Sequence, residues 1–287
     1  NDDCSNDRTV ELIEKWISIN KNLFNRVVVK TNNANKGTCS SVINLISLIE
    51  TKLFKLTAGD DIYSYENIFY AAIADDTTAF ISGFPLYIEN NILKEYQISN
   101  ILTIATKVVY FKKGIFNQFV KFSYNNAPNM FYNLNCAKDS RVIKFVQKFD
   151  VTEDWPMQLA ISRYYPTYKV NYLNKVLVYY RRTAGSTFIV ANNRFVIDKL
   201  KIFKELIQNS SNFISRIRLE SRLLAFKTSN NYFSRIINID LYIFFMESLF
   251  QIHNICSQFL KLYLNINQHK YHLEIIKRKA SDFKNNI

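Results

Sequence analysis

Phe54-Lys55-Leu56-Thr57-Ala58-Gly59-Asp60-Asp61-Ile62 is the stretch on which the reading of this chain turns. Its apolar start predicts a short strand over residues 53–56, and the strand ends in two adjacent carboxylates. Side-by-side acids at the tip of a buried strand repel each other and lose hydration, so they persist where a divalent cation or a sugar hydroxyl supplies the missing partner. A helix N-cap is the competing reading, because Ser64 and Glu66 follow where a first turn would lie.

Upstream, Val10, Leu12, Ile13, Trp16 and Ile17 recur at helical spacing, residues 26–30 (Arg-Val-Val-Val-Lys) read as a β-branched strand, and residues 40–50 carry Val42, Ile43, Ile46 and Ile49 on one helical face. Helix, strand, helix, strand predicts an α/β fold with a mainly parallel sheet flanked by helices, whose ligands bind beyond the carboxyl ends of strands. Asp60 and Asp61 fall at that edge. The chain opens on Asn1, and its first residues read as the end of a strand followed by a polar turn, so the natural N-terminus is expected to lie further upstream.

Downstream, a second acidic pair, Glu153-Asp154, precedes Trp155, Pro156, Met157, Leu159, Ala160 and Ile161, which continue as a helix. Acids at a helix N-terminus complement its dipole, and they can equally accept a proton in a cleft; the residues alone leave both readings open. Further strands are predicted over 79–88 and 175–180 and helices over 68–74 and 142–146, while 101–122 is apolar and basic without a single assignment. Beyond Asn193, residues 195–207, 213–226, 241–264 and 271–283 read as helices.

The chain has 287 residues, 48% of them hydrophobic and 15% aromatic, which excludes disorder for most of its length. Lys and Arg number 37 against 24 acids, a formal +13, and residues 194–287 hold fifteen basic and seven acidic residues. That excess attracts anionic lipid, phosphorylated substrates or nucleic acid, but no helix-turn-helix, zinc or RNA-recognition signature accompanies it, so a nucleic-acid partner is not expected. Cys4, Cys39, Cys136 and Cys256 are too dispersed for a disulfide scaffold or a zinc site and fit a reducing cytoplasm. The greasiest stretch, 241–264, is interrupted by Glu247, His253, Asn254 and Lys261, so a membrane span is not expected. His253, His269 and His272 lack nearby acids or cysteines and read as surface histidines.

Five segments in register carry a resemblance: Asp2-Asp3-Cys4-Ser5, Asn35-Lys36-Gly37-Thr38, Lys55 to Asp61, Phe149-Asp150 with Thr152-Glu153-Asp154, and Tyr180-Arg181 with Ser186. From residue 1 to about 190 the chain resembles a family 2 glycosyltransferase of the GT-A (Rossmann-like) fold, of the bacterial polysaccharide type. The resemblance implies an inverting transfer of sugar from a nucleotide-sugar donor, usually a UDP-sugar with Mg²⁺ or Mn²⁺, to a glycan or lipid-linked acceptor in cell-surface polysaccharide synthesis. It implies a uridine contact at Asp3 or Asp2, metal binding at Asp60, a donor-sugar contact at Asp61, and a catalytic base at Asp154 with Glu153 beside it. Arg181 would clamp diphosphate, or else lie with Arg182 on a solvated edge.

Where relatives carry a first metal-site acid this chain has Ala58, where many carry a double Gly before Phe-Asp it has Gln147-Lys148, and where many carry a His after Tyr-Arg it has Thr183. The family's opening strand and helix do not appear, so this stretch by itself is expected to transfer sugar poorly or not at all. A non-catalytic glycosyltransferase-like binding protein is the alternative. The implied organisation is a GT-A domain over 1–192 and a basic helical region over 193–287, cytoplasmic, with the basic helices resting peripherally on the anionic inner face of the plasma membrane.

Overall fold

The structure is a computed structural model that describes residues 1–121, 127–182, 193–228 and 230–285; Thr183 and Ser186 lie outside the described residues. The chain runs α1 (Thr9–Ile19), α2 (Thr38–Ile46), β1 (Leu53–Lys55), β2 (Ile62–Tyr63), α3 (Ile68–Ala71), β3 (Thr78–Glu89), β4 (Ile92–Lys94) and α4 (Gln97–Tyr110). It continues with α5 (Ile115–Lys121), β5 (Met130–Asn133), α6 (Leu134–Ala137), α7 (Ser140–Val146), α8 (Asp154–Tyr164) and β6 (Lys169–Arg181). Helices α9 (Asn193–Gln208), α10 (Phe213–Lys227), α11 (Asn231–Ile237), α12 (Ile239–Phe250), α13 (Ile252–Leu260) and α14 (Ile266–Asn285) complete it. The unassigned stretch 101–122 is thus α4 and α5, separated at Gly114.

Among the described residues the sheet has six strands in the order β1-β5-β3-β6-β2, with β4 folded back on β3. The expectation of a mainly parallel sheet is corrected. Only β3 and β6 pair in parallel, while β1–β5, β3–β5, β2–β6 and β3–β4 are antiparallel. Alternating helix and strand patterns predict layers of structure but carry no strand direction, and direction follows from the connections. The two-residue link Asn90-Asn91, with φ of 50° and 61°, forces β4 to reverse onto β3. The long path through α4 to α8 is what allows β6 to run parallel to β3.

Residues 26–30 do not form the expected strand. Val27, Val28 and Val29 stay exposed, and the segment's strand-like pairing is a lone bridge in which the Asp2 N–H donates to the Lys30 carbonyl at 2.7 Å and the Asn32 N–H to the Asp2 carbonyl at 3.0 Å. β-Branched residues favour a strand only where a neighbouring strand covers them, and among the described residues none does.

β3 is buried along nearly its whole length and forms the centre of the sheet. Its Gly83 lets β6 approach, since a Cβ there would lie 2.5 Å from Leu177 Cγ and 2.7 Å from the Lys175 carbonyl. One core cluster joins Phe80, Tyr132 and Trp155 to Ile202, Phe203 and Leu206 of α9 and Leu219 of α10. Trp155 is pinned by its indole N–H donating to the Phe119 carbonyl at 2.7 Å, which fixes the start of α8. A second cluster packs Phe84, Leu86 and Tyr179 against Phe244, Ile255 and Leu273 of the last helices and Leu264 of the α13–α14 connection.

The histidine expectation is corrected in part. His253 is exposed, but His269 is fully buried, with Nδ1 2.9 Å from the Tyr179 hydroxyl, and His272 Nδ1 lies 3.1 Å from the same oxygen. Their three-residue spacing on α14 sets both on the face that meets β6. Among the described residues no helix is long and apolar enough to cross a membrane.

Candidate active site

The loop between β1 and β2 is closed by the Asp61 N–H donating to the Ala58 carbonyl at 3.2 Å, so neither acid caps a helix; Asn67 caps α3 instead. Asp61 turns inward, where one carboxylate oxygen accepts the Arg181 backbone N–H at 2.9 Å. Arg181 answers with its Nε, which donates to the Asp60 carbonyl at 2.8 Å. Asp60 itself is exposed. Burial pushes the Asp61 carboxyl up to about 6, partly offset by the Arg181 N–H, with the neighbouring Asp60 charge adding to the rise.

Lys55 lies beneath this loop. Its ammonium sits 5.6 Å from the Tyr63 ring centroid and 5.8 Å from that of Phe131, and burial drives it down to about 7 against the attraction of Asp61. Lys55 Nζ and the second carboxylate oxygen of Asp61 are both buried without a hydrogen-bond partner, and they form no ion pair within 4.0 Å. Each therefore keeps unused hydrogen-bonding capacity.

Asp3 occupies a second cradle. Its carboxylate accepts from Asn32 Nδ2 at 2.7 Å and from the backbone N–H groups of Lys36 and Gly37, each at 2.9 Å. Burial works to raise its pKa, but these bonds prevail and hold it low. Asp2 instead closes its own turn on the Ser5 N–H at 2.9 Å. Gly37, with φ of 83°, presses on Asp150: a Cβ there would fall 2.2 Å from Asp150 Oδ1. Cys39 donates its N–H to the Asp150 carbonyl at 3.0 Å, and Arg194 of α9 clasps the Asp150 carboxylate through Nε and Nη2, the latter at 2.7 Å.

Glu153 and Asp154 stand at the start of α8, and Asp154 Oδ1 accepts the Trp155 N–H at 2.6 Å. Burial and the adjacent Asp154 charge raise the Glu153 carboxyl well above the usual range. Glu153 therefore holds its proton more tightly than an ordinary carboxyl. Lys199, lowered to about 8 by burial, is attracted by Asp154 and lies 4.3 Å from the Trp155 ring centroid. The approach to the pair is fixed by Asp198, fully buried, whose Oδ2 accepts the N–H groups of Asp150, Val151 and Thr152 at 2.8, 2.8 and 3.1 Å.

The two acidic clusters face one residue. The Tyr180 hydroxyl, pushed up to about 12 first by burial, is raised further by Asp61, Asp154 and Asp60. Asp61, Asp154 and Asp60 thus all act electrostatically on Tyr180, and Asp3 acts in the same way on Asp150. Arg182 acts on the Tyr180 hydroxyl in the opposite direction, while its guanidinium stacks 4.1 Å from the Tyr87 ring centroid and pairs with Glu89 at 3.4 Å.

Among the described residues no three His, Cys, Asp or Glu side chains cluster as metal ligands.

No protein-family model matches the chain, and no curated protein matches it significantly in sequence. Its backbone is similar to that in a crystal structure of S. aureus TarS residues 1–349 in complex with UDP, with a TM-score of 0.50 and 19% identity over 80% of this chain and 62% of that one. The chain has a glycosyltransferase-like fold. A second crystal structure of S. aureus TarS gives a TM-score of 0.49 and 18% identity, covering 79% of this chain and 37% of that one. The chain thus spans under two thirds of the length of each. At these identities the likeness concerns the fold. Lys55 and Tyr180 stand in segments that the sequence reading quoted without giving them a role, and Arg194, Asp198 and Lys199 it overlooked; these three carry no local signal, because their partners lie far along the chain.

Proposed function

We propose that this chain is the transferase portion of an inverting family 2 glycosyltransferase that takes a sugar from a UDP-sugar and delivers it to a hydroxyl of a glycan or lipid-linked acceptor. The observation that carries the reading is that carboxylates from both acidic segments, Asp60 and Asp61 from one and Asp154 from the other, act electrostatically on the Tyr180 hydroxyl. Its glycosyltransferase-like fold supports it.

In this reading Asp3, aimed by Asn32, Lys36 and Gly37, meets the uracil or ribose. Arg181 and Lys55 face the diphosphate, whose leaving group gathers negative charge as the glycosidic bond breaks. Asp60 would hold Mg²⁺ or Mn²⁺, which would supply positive charge against that developing on the departing diphosphate. Asp61, its carboxyl raised to about 6, orients hydroxyls of the donor sugar. Asp154, kept ionised by Lys199 and by its protonated neighbour Glu153, takes the proton from the acceptor hydroxyl as that oxygen attacks the anomeric carbon from the face opposite UDP. The acceptor oxygen gains the carbon, UDP leaves with the bonding pair, and the configuration inverts.

The basic helices would bring the protein to an anionic membrane surface on the cytoplasmic side, where lipid-linked acceptors reside. UDP release from a panel of UDP-sugars, measured with Mg²⁺ or Mn²⁺ and with chelator, tests the reading. Titration of UDP into the protein separates it from the alternative of a binding protein, which would bind UDP or glycan yet release nothing.

A further inference from the structure

A cavity of about 220 Å³ opens between α5, the C-terminal end of α8, the α9–α10 connection and α12, and none of the carboxylates of the candidate active site lines it. Arg163, nine residues beyond Asp154 on α8, places it about 13 Å along the helix axis from the acidic pair. Lys121, Arg163, Arg218 and Arg222 line this space, against one carboxylate, Asp240. Asp240 is buried and already engages three of the four: Lys121 by a short bond, Arg218 Nε at 2.6 Å and Arg222 Nε at 3.6 Å. Glu247, 3.5 Å from Arg218 Nη1 and shared with Lys113, adds a second carboxylate, so the four cations that line the cavity face two acids and leave a positive excess that an anion can join. Burial drives the Lys121 ammonium down to about 7, and the two guanidinium groups act in the same direction.

Arg163 sharpens the imbalance. Its guanidinium lies 5.2 Å from the Phe116 ring centroid, and among the described residues no carboxylate comes within 4.0 Å of it. The polar run Asn209, Ser210, Ser211 and Asn212 also lines the cavity, with the Asn209 amide, the Ser210 hydroxyl and the Asn212 side chain engaged in bonds to their own segment. Forked guanidinium groups match tetrahedral oxyanions by paired N–H···O bonds. A volume well above the ~30 Å³ of one water admits such a group but not a nucleotide.

We propose that this cavity is a binding site for a phosphoryl group, separate from the diphosphate-facing region at Asp60 and Arg181. The phosphoryl can come from a small phosphate monoester or from a phosphodiester in a polymer or lipid headgroup, and both share the chemistry that Arg163, Arg218 and Arg222 recognise.

Calorimetric titration of the full chain with inorganic phosphate, at constant ionic strength with chloride as the reference salt, tests this. Phosphate binds the unaltered protein, and binding weakens about tenfold or more in Arg163→Met, the loss of one charge-assisted pair. Arg163→Met keeps the stem on Phe116; Arg163→Lys keeps the charge but loses the fork and binds about threefold to tenfold more weakly. Arg181→Met leaves the phosphate affinity unchanged. Competition with glycerol 1-phosphate or with dimethyl phosphate identifies the monoester or the diester as the source. Absence of phosphate binding above chloride, equal affinity in both Arg163 variants and the unaltered protein, loss of binding in Arg181→Met, or failure of both esters to compete would overturn the proposal.

Discussion

Asp61 and Arg181 hold each other across 120 residues of chain, the carboxylate accepting the backbone N–H at 2.9 Å while the Arg181 side chain returns to the neighbouring Asp60 carbonyl at 2.8 Å. The clasp fastens the acidic loop to the end of β6 and takes Asp61 partly out of water. Its pKa rises from 3.8 to about 6, so the folded state binds a proton that the unfolded chain has released. The stabilisation from that proton is complete below pH 3.8 and is lost as the pH climbs through 6. Asp61→Asn keeps an acceptor for the Arg181 N–H and removes the charge. Its denaturation midpoint is expected to equal or exceed that of the unaltered protein above pH 6, while sugar transfer falls; a lower midpoint at pH 8 would contradict the burial argument.

Lys55 titrates with the opposite sign. Its pKa falls from 10.5 to about 7 on folding, so between those values the unfolded chain holds the extra proton and stability grows with rising pH. Below pH 7 the penalty for the buried ammonium is fully present. Lys55→Met is expected to raise stability at pH 6 and to flatten the dependence between pH 7 and 10, as read from urea midpoints across that range. It should also weaken UDP binding if the ammonium meets the diphosphate.

Much of the helical layer was legible because α1, α2, α7 and α9 each show a 3.6-residue apolar period. Strands β1, β3 and β6 were legible as apolar runs, but which partner each takes, and in which direction, was not. A run such as Ile81-Ser82-Gly83-Phe84 looks alike in either orientation. Residues 26–30 show the converse, β-branched residues without a covering neighbour. At the site, the acids announced themselves by being paired at the ends of elements. Asp198, Lys199 and Arg194 did not, since on α9 they occupy ordinary positions of an amphipathic helix and gain meaning from the loop they touch. His269 was misread because three residues of spacing cannot tell that Tyr179 waits on the facing strand.

Gly37 carries two demands at once, a φ of 83° and a distance of 2.2 Å between an added Cβ and Asp150 Oδ1. Gly37→Ala must move Asp150, and with it Arg194 and the N–H pair that holds Asp3. The positive φ alone costs about 1–2 kcal/mol for a non-glycine residue. The expected result is a destabilisation of at least that size in urea, together with UDP affinity reduced in calorimetry. A variant of normal stability and unchanged UDP affinity would show that the cradle does not hold the nucleotide.

Asp198 gathers three backbone N–H groups on one oxygen, and these belong to Asp150, Val151 and Thr152, directly before the acidic pair. Asp198→Ala strands all three in a buried place, at about 1–3 kcal/mol for each group left unpaired. Asp198→Asn keeps an acceptor oxygen. Thermal and urea melts should therefore show Ala far below the unaltered protein and Asn close to it, with transfer activity following the same order. Equal losses in the two variants would point to the charge rather than to the N–H bonds.

Glu153 and Asp154 share one effective negative charge, so their amide variants are expected to behave unequally. Glu153 is the protonated partner at neutral pH, and Gln resembles a protonated Glu in shape and charge. Glu153→Gln should leave turnover within a few-fold of the unaltered protein and remove the alkaline titration step from its pH profile. Asp154 bears the charge that accepts the acceptor's proton, and Asp154→Asn should lower kcat by about 10²- to 10⁴-fold, the usual contribution of a positioned base. UDP affinity should remain, because neither acid faces the diphosphate. The assignment of the base reverses if Glu153→Gln is the inactive variant and Asp154→Asn the active one, since the proton would then sit on the other carboxylate.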